Sequence, residues 1–335
     1  MEARKAYEAV SQVVSPVYLV GGSVRDALMA RSSEDFDFTT PLSPDDVEGM
    51  IRASGRRAYL VGKRFGTVAF KLRDSTIEIT TFRRESYGEG SRRPSVEFVS
   101  ELETDLSRRD FTINAIALAG DQFIDPFDGR TDLDAGIVRA VGAPAERFAE
   151  DPLRMLRAAR FASQLAFTVD AATCDAISDS ASRILSVARE RWMAELDKLL
   201  VGPAASDALR FLAETGLMRY LLPEVQIQVG YDQNSPHHAL ELFEHTLAVV
   251  AAVEPEVKMR WAALLHDVGK PAARFEKPDR STYYGHELIG AELVERIALY
   301  LKWSTRRRED VTALVRDHAR TDSPLAQADR AGKPH

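Results

Sequence analysis

Three carboxylates near the start of a 335-residue chain have the type and spacing for metal-assisted phosphate chemistry. Asp35 and Asp37 flank Phe36, so on an extended strand both carboxylates point to one face while Phe36 and Phe38 pack inward. Two like charges on one face repel unless a cation lies between them, and hard oxygen ligands suit Mg²⁺. Glu78, in the alternating "TIEITTF", can bring a third carboxylate from a neighbouring strand. Three carboxylates can hold two metal ions, one activating an attacking hydroxyl and one neutralising a leaving pyrophosphate. The plainer reading of Asp-Phe-Asp is an exposed edge strand.

Gly21 and Gly22 follow the apolar "VYLV" and precede the helical "SVRDALMA". Such a turn sets backbone N–H groups and a helix N-terminus where a triphosphate can sit, with Arg25 one turn further in; a tight structural turn has the same sequence. "RRDFTINAIAL" adds Arg109 and Asp110, and "EDPLRMLRAARFA" places Asp151, Arg154, Arg157 and Arg160 at steps of three. On one helix these four form a polar stripe opposite Leu153, Leu156 and Phe161, which is either intrahelical salt bridging or a base reader. An Asp that accepts from an exocyclic amine, beside an Arg that donates to ring acceptors, matches the edge of cytosine or adenine and not of uracil or guanine. The remaining arginines would neutralise the triphosphate.

A third constellation lies late in the chain. His266 and Asp267 end the apolar helix "MRWAALLHDVGKP", with His245 before them and His286 and His318 after, four of the seven histidines. Isolated histidines are usually surface or packing residues. Several neutral imidazoles around a carboxylate suit a transition metal or Mn²⁺ that activates water for phosphate-ester hydrolysis.

The elements that must position these groups divide by texture. Up to about residue 140, short β-branched and aromatic runs at 17–20, 36–39, 66–72 and 76–82 alternate with helical stretches, predicting a small sheet with helices. The first part of "ESYGEGSRRPSVEFV" reads as a mobile loop. From about 144 the pattern turns to long helices, including one run "AERFAEDPLRMLRAARFASQL". A polar break at 228–238 precedes the histidine block, and the final "DSPLAQADRAGKPH" reads as a frayed or cut end. At 45% hydrophobic and 28% charged, with one cysteine and a net charge of −7, the chain reads as an ordinary globular cytoplasmic protein with local arginine clusters able to grip a polyanion. No apolar run reaches the roughly 20 residues that span a bilayer, so no membrane partner is expected, and oligomeric state is left open.

In this order, "LVGGSVRDALMARSSEDFDF", "IEITTFR", "RRDFTINAIAL", "FIDPFDGRTDL", "EDPLRMLRAARFA" and "ARERWMAEL" resemble the class II tRNA nucleotidyltransferase and bacterial poly(A) polymerase family, over about residues 25 to 200. The resemblance implies an α+β protein: a polymerase β-like head over 1–142, a helical neck and body over 143–227, and an HD-type helical domain over 228–335 that stops short of such relatives. It implies that Gly21, Gly22 and Arg25 bind the incoming nucleotide, that Asp35 and Asp37 hold two Mg²⁺ ions, and that Glu78 is the third carboxylate. Arg109 and Asp110 would line the nucleotide site, and Asp151 with Arg154 would select the base, Arg157 and Arg160 beside them. Such enzymes add C, C and A from CTP and ATP to the tRNA 3′ end without a template. Poly(A) addition, CC-only or A-only addition, an HD phosphohydrolase with an RNA-binding head, and a non-catalytic RNA-binding protein are the alternatives. Asp128 departs from the pattern, where relatives often carry glycine.

The histidine block resembles the HD phosphohydrolase superfamily, which implies His245, His266 and Asp267 as metal ligands and His286 and His318 as ligands of a second ion or phosphate contacts. The superfamily's final aspartate comes from a later helix. Asp329 is the late candidate, and its place in a frayed end predicts an incomplete ligand set.

Overall fold

The alternating apolar runs of the first part of the chain build a seven-stranded sheet in a computed structural model that describes residues 3–33, 35–73, 75–86, 95–234, 240–319 and 324–331. Its strands are β1 (Tyr18–Val20), β2 (Asp37–Thr40), β3 (Ala58–Tyr59), β4 (Thr67–Leu72) and β5 (Ser75–Thr81). A separate ribbon of β6 (Arg83–Ser86) and β7 (Ser95–Phe98) follows, and β8 (Ala117–Ala119) and β9 (Gln122–Ile124) complete the sheet. The order is β3-β4-β5-β2-β1-β8-β9. All pairings in it are antiparallel except β2 with β5, which run parallel and set Asp37 opposite Glu78.

Three helices, α1 (Ala3–Ser11), α2 (Gly22–Leu28) and α3 (Pro44–Ala53), supply Val10, Val24, Val47 and Ile51 to the apolar cluster that holds Leu19, Phe38, Val68, Phe70, Ile77 and Ile79 of the strands. Period-2 alternation therefore leaves Asp37 and Glu78 exposed while Phe38, Ile77 and Ile79 are buried. α4 (Leu102–Ser107), α5 (Gly129–Ala135) and α6 (Pro144–Glu150) finish the first of two units, Met1–Glu150. Asp128, just before α5, has a φ of +56°, a left-handed position that favours glycine and that Asp tolerates. Residues 87–94, the expected mobile loop with Arg92 and Arg93, lie outside the described residues.

The second unit, Asp151–His335, is almost wholly helical. It contains α7 (Leu153–Leu165), α8 (Ala171–Ser180), α9 (Arg189–Leu200), α10 (Ala205–Glu214), α11 (Met218–Leu221) and α12 (Pro223–Gln226). Then come α13 (Leu242–Ala252), α14 (Val257–Leu265), α15 (Lys270–Ala273), α16 (His286–Tyr300), α17 (Thr305–Arg316) and α18 (Pro324–Ala331).

Two expectations are corrected. The run expected as one helix breaks between Glu150 and Leu153, because Pro152 has no N–H to continue a ladder and starts α7 instead. The last segment is not frayed throughout: α18 turns Leu325 and Ala328 inward, both buried. Among the described residues no helix is long and apolar enough to cross a membrane.

Candidate functional site

In the first unit, the exposed face of β2 and β5 carries two of the three carboxylates. Asp37 and Glu78 are register partners on parallel strands, and Asp35 lies in the extended approach to β2, exposed like Asp37 while Phe36 between them is buried. Although Asp37 is exposed as a residue, partial desolvation of its carboxyl by the groups around it raises it above its ordinary value first, and Asp35 further, against the pull of Arg109. Accumulated negative charge of this kind fits a cation.

Arg109 comes close to the turn after β1. Gly21 has a φ of +80°, and a Cβ placed there would lie 3.1 Å from Arg109 Nη1 and 3.8 Å from Asp37 Oδ2, so glycine is required for backbone, guanidinium and carboxylate to approach one another. Burial lowers the Arg109 pKa, while Asp105, Asp37 and Asp110 oppose it. Arg109 Nε is buried without a hydrogen-bond partner. An orphaned donor beside a glycine turn fits an anionic ligand.

Arg25 and Asp110 are tied into the protein. Arg25 donates to Asp26 Oδ1 through Nε and Nη2 at 3.0 and 2.7 Å, and to Asn114 Oδ1 at 2.8 Å. Asn114 Nδ2 in turn donates to Asp110 Oδ1 at 3.1 Å, an oxygen that also accepts from Phe111 N. One amide thus links two candidate nucleotide-site residues.

Asp105 escaped the sequence reading. It is fully buried and accepts from Arg108 Nε and Nη2, Thr39 Oγ1 and the N–H of Arg83, with Arg109 Nη2 at 3.9 Å. It joins β2, β6 and the arginine pair. The available signal was its position three and four residues before Arg108 and Arg109 on α4.

In the second unit the expected polar stripe is not a solvated face. Asp151 precedes α7, accepts from Leu153 N at 3.1 Å and pairs with Arg191 of α9 at 2.7 Å. Arg154 and Arg160 are buried along with Leu153, Leu156 and Phe161, so α7 is enclosed on most sides. Arg160 Nε lies 3.1 Å from Glu195 Oε2, and its guanidinium lies 4.0 Å from the Phe161 ring centroid. Arg157 reaches the same glutamate at 3.8 Å.

The histidines converge. His245 Nε2 lies 2.9 Å from Asp329 Oδ1, 3.3 Å from His266 Nε2 and 3.5 Å from Asp267 Oδ2. The other oxygen of Asp267 faces His286 Nε2 at 3.3 Å and His318 Nε2 at 3.6 Å. Asp267 is therefore shared by two groups, one with His245, His266 and Asp329, the other with His286 and His318. This corrects the expectation of an incomplete ligand set: packing of Leu325 and Ala328 in α18 carries Asp329 into place. Among the described residues no comparably close group forms in the first unit.

Local chain geometry orients these side chains. The Nδ1 atoms of His266, His286 and His318 donate to the carbonyls of Ala263, Tyr283 and Val315 at 2.8, 2.8 and 2.6 Å, which leaves each Nε2 lone pair facing the cluster. A Cβ at Gly269 would lie 2.1 Å from the His286 carbonyl oxygen, so only glycine lets the turn after Asp267 meet the start of α16. Burial keeps His266 below its ordinary pKa against Asp267. Burial would raise Asp267, but His266 and Lys270 hold it well below the usual carboxylate range. Its Oδ2 is buried, 2.7 Å from Lys270 Nζ and 3.0 Å from His266 Nε2, and together with the facing imidazoles it fits a metal ion.

Three family models match successive stretches: the poly A polymerase head domain over 17–139, the probable RNA and SrmB-binding site of polymerase A over 166–228, and the HD domain over 237–331. The CCA-adding enzyme of Bacillus subtilis (strain 168) is 47% identical over 206 residues, 61% of this chain and 51% of that protein. That of Bacillus velezensis is 40% identical over 254 residues, 75% of this chain and 60% of that protein. The chain thus spans little more than half the length of these relatives. Its fold superposes on the crystal structure of the Bacillus stearothermophilus CCA-adding enzyme in complex with CTP with a TM-score of 0.65, at 31% identity over 99% of this chain and 80% of that one. A tRNA nucleotidyltransferase complexed with a primer tRNA and an incoming ATP analog shares the fold at a TM-score of 0.58 and 24% identity, over 89% of this chain and 80% of that one.

Proposed function

This chain belongs to the class II tRNA nucleotidyltransferase and bacterial poly(A) polymerase family, and from that premise we propose that it adds CMP and AMP, from CTP and ATP, to the 3′ end of tRNA in the cytoplasm. The observation that carries the reading is the register of Asp37 with Glu78, beside Asp35, on a face where Arg109 meets the Gly21 turn.

Two Mg²⁺ ions, when bound by Asp35, Asp37 and Glu78, would supply activation of the terminal ribose hydroxyl and neutralisation of the leaving pyrophosphate. The chain's own residues do the rest. Gly21 and Gly22 keep the backbone low enough for phosphate oxygens to approach, and the free N–H of Arg109 donates to the nucleotide. Asn114 holds Arg25 and Asp110 in one hydrogen-bonded set that fixes their orientation before substrate arrives. Asp151 and Arg154 present an acceptor and a donor to the base, which favours cytosine and adenine. Arg157 and Arg160, held by Glu195, brace α7 and hold positive charge beside Arg154.

The test offers purified protein tRNAs that lack one, two or three 3′ nucleotides, with Mg²⁺ and each NTP, and sequences the extended ends. Completion to a single CCA is the expected result. A-tails would assign poly(A) addition, and no extension would overturn the reading.

A second reading, metal-dependent hydrolysis of phosphate esters in the second unit, is supported by the group in which Asp329 joins His245, His266 and Asp267. Those four residues would hold one Mn²⁺ or transition-metal ion, with His286 and His318 serving a second ion or the substrate phosphate. Lys270 Nζ, 2.7 Å from Asp267 Oδ2 and 2.9 Å from Gln233 Oε1, holds buried positive charge beside it.

A further inference from the structure

A cleft of about 1400 Å³ opens in the first unit away from the carboxylate face, and none of Gly21, Gly22, Arg25, Asp35, Asp37, Glu78 or Arg109 lines it. Four separate segments bring cations to its wall: Arg4 and Lys5 from α1, Arg31 from the segment after α2, Arg56 from the segment after α3, and Arg73 from the β4–β5 turn. Leu72 and Phe123, both partly exposed, contribute apolar surface to the same cleft, which the buried Leu118 backs.

The charge arrangement is not that of ordinary surface. The chain carries 51 acidic against 44 basic residues, so an exposed arginine has carboxylates in excess to pair with. Among the described residues Arg31, Arg56 and Arg73 nevertheless form no ion pair; Arg56 donates only to the Ser54 carbonyl and hydroxyl. Arg4 pairs with Asp121 at 3.1 Å where both side chains are well exposed, a contact of little worth to stability. Like charges gathered on a concave wall repel one another, and the field they focus is relieved by an anion.

The shape narrows the ligand. Guanidinium groups match phosphate oxygens bidentately, and the apolar floor with a partly exposed aromatic ring suits a flat heterocycle. The cleft exceeds the roughly 300 to 1000 Å³ usual for small-molecule sites, so a whole nucleotide fits. We propose that this cleft is a second ligand site of the first unit and that it binds a nucleoside polyphosphate, its phosphates on Arg31, Arg56 and Arg73 and its base on the Phe123 side.

The site does not depend on the reading of the carboxylate face, and one experiment separates the two. Equilibrium dialysis of the full chain with non-transferable α,β-methylene ATP and Mg²⁺ counts bound nucleotides. Two per chain are expected for the unaltered protein and one for the variant carrying Arg31→Gln, Arg56→Gln and Arg73→Asn, whose changes fall on exposed or half-exposed positions. Asn is chosen because Arg73 has a φ of +56°. Inorganic pyrophosphate should displace the second nucleotide about tenfold more weakly than ATP does, because it lacks a base to cover the apolar floor. A variant that binds as many nucleotides as the unaltered protein would overturn the proposal, whereas one nucleotide in the unaltered protein and none in the variant would keep the cleft and overturn the reading of the carboxylate face. Equal affinity for pyrophosphate would overturn the nucleoside part. Loss of tRNA affinity in the variant without loss of a nucleotide would reassign the cleft to RNA.

Discussion

His245 and Asp329, from the first and last helices of the histidine-bearing part of the chain, meet at 2.9 Å between Nε2 and Oδ1. His245 is buried, and its Nε2 also lies 3.3 Å from His266 Nε2 and 3.5 Å from Asp267 Oδ2, so His245 and Asp329 face one point that a single cation would fit. Replacing Asp329 by alanine should weaken Mn²⁺ binding by more than the roughly 10- to 100-fold typical of losing a residue that only supports a ligand. Isothermal titration of Mn²⁺ reads this directly, and the rise in melting temperature on adding Mn²⁺ should shrink with it. An unaltered affinity would remove Asp329 from the ligand set.

Asp37 should limit the stability of the metal-free protein. Its carboxyl is raised by partial desolvation and by Asp35, so between the ordinary carboxylate value and the raised one the folded state binds more proton than the unfolded state. Stability then declines as pH rises through that window and stays lower above it. Asp37→Asn should therefore raise the melting temperature at pH 7 in EDTA, and the gain should vanish as the pH falls below the ordinary value. The same change should abolish nucleotide incorporation, since an amide is a poor Mg²⁺ ligand. A variant no more stable at pH 7 would contradict the assigned direction.

Asp105 should matter to both fold and substrate. Its carboxylate is fully buried against the Arg108 guanidinium at 2.8 Å, and removing one partner of a buried pair costs about 3 to 5 kcal/mol. Urea titration of Asp105→Ala should show a loss of that order. The milder Asp105→Asn should keep part of the stability and raise KM for CTP through Arg109, whose Nη2 lies 3.9 Å from Asp105. If KM for CTP stays fixed while stability falls, Asp105 serves the fold alone.

What could be read from the sequence was local. The Asp35-Phe36-Asp37 alternation announces a buried aromatic between two exposed acids, because strand periodicity is a property of neighbours. The parallel pairing that sets Asp37 against Glu78 depends on a crossover through α3, β3 and β4, which no local pattern specifies. Asp105 is not legible in this way, because a carboxylate on a short helix is ordinarily solvated; only its distant partners Thr39 and Arg83 make it a hub. Helical spacing groups Asp151 with the arginines of α7, but Pro152 interrupts the ladder there, so its carboxylate serves the helix start and Arg191. The placing of Asp329 is equally illegible, because an apolar seam as slight as Leu325 and Ala328 has no visible signature in the sequence.

Arg154 and Arg160 occupy one buried helix, yet their replacement should have different consequences. Arg160 is paired with Glu195, and both side chains are more than nine-tenths buried, so Arg160→Ala strands a carboxylate whose other cation, Arg157, stands at 3.8 Å. Its signature should be a loss of roughly 3 kcal/mol in urea unfolding. Arg154, beside Asp151 at the first turn of α7, is proposed to read the base. Arg154→Ala should reduce discrimination of CTP and ATP against UTP and GTP by about 10- to 100-fold in kcat/KM, the worth of one good base contact, while triphosphate affinity changes less. Glu195→Gln supplies the control: it should lower stability in the manner of Arg160→Ala and leave base discrimination near that of the unaltered protein. Discrimination lost equally in Arg154→Ala and Glu195→Gln would mean that Arg154 acts only through the packing of α7.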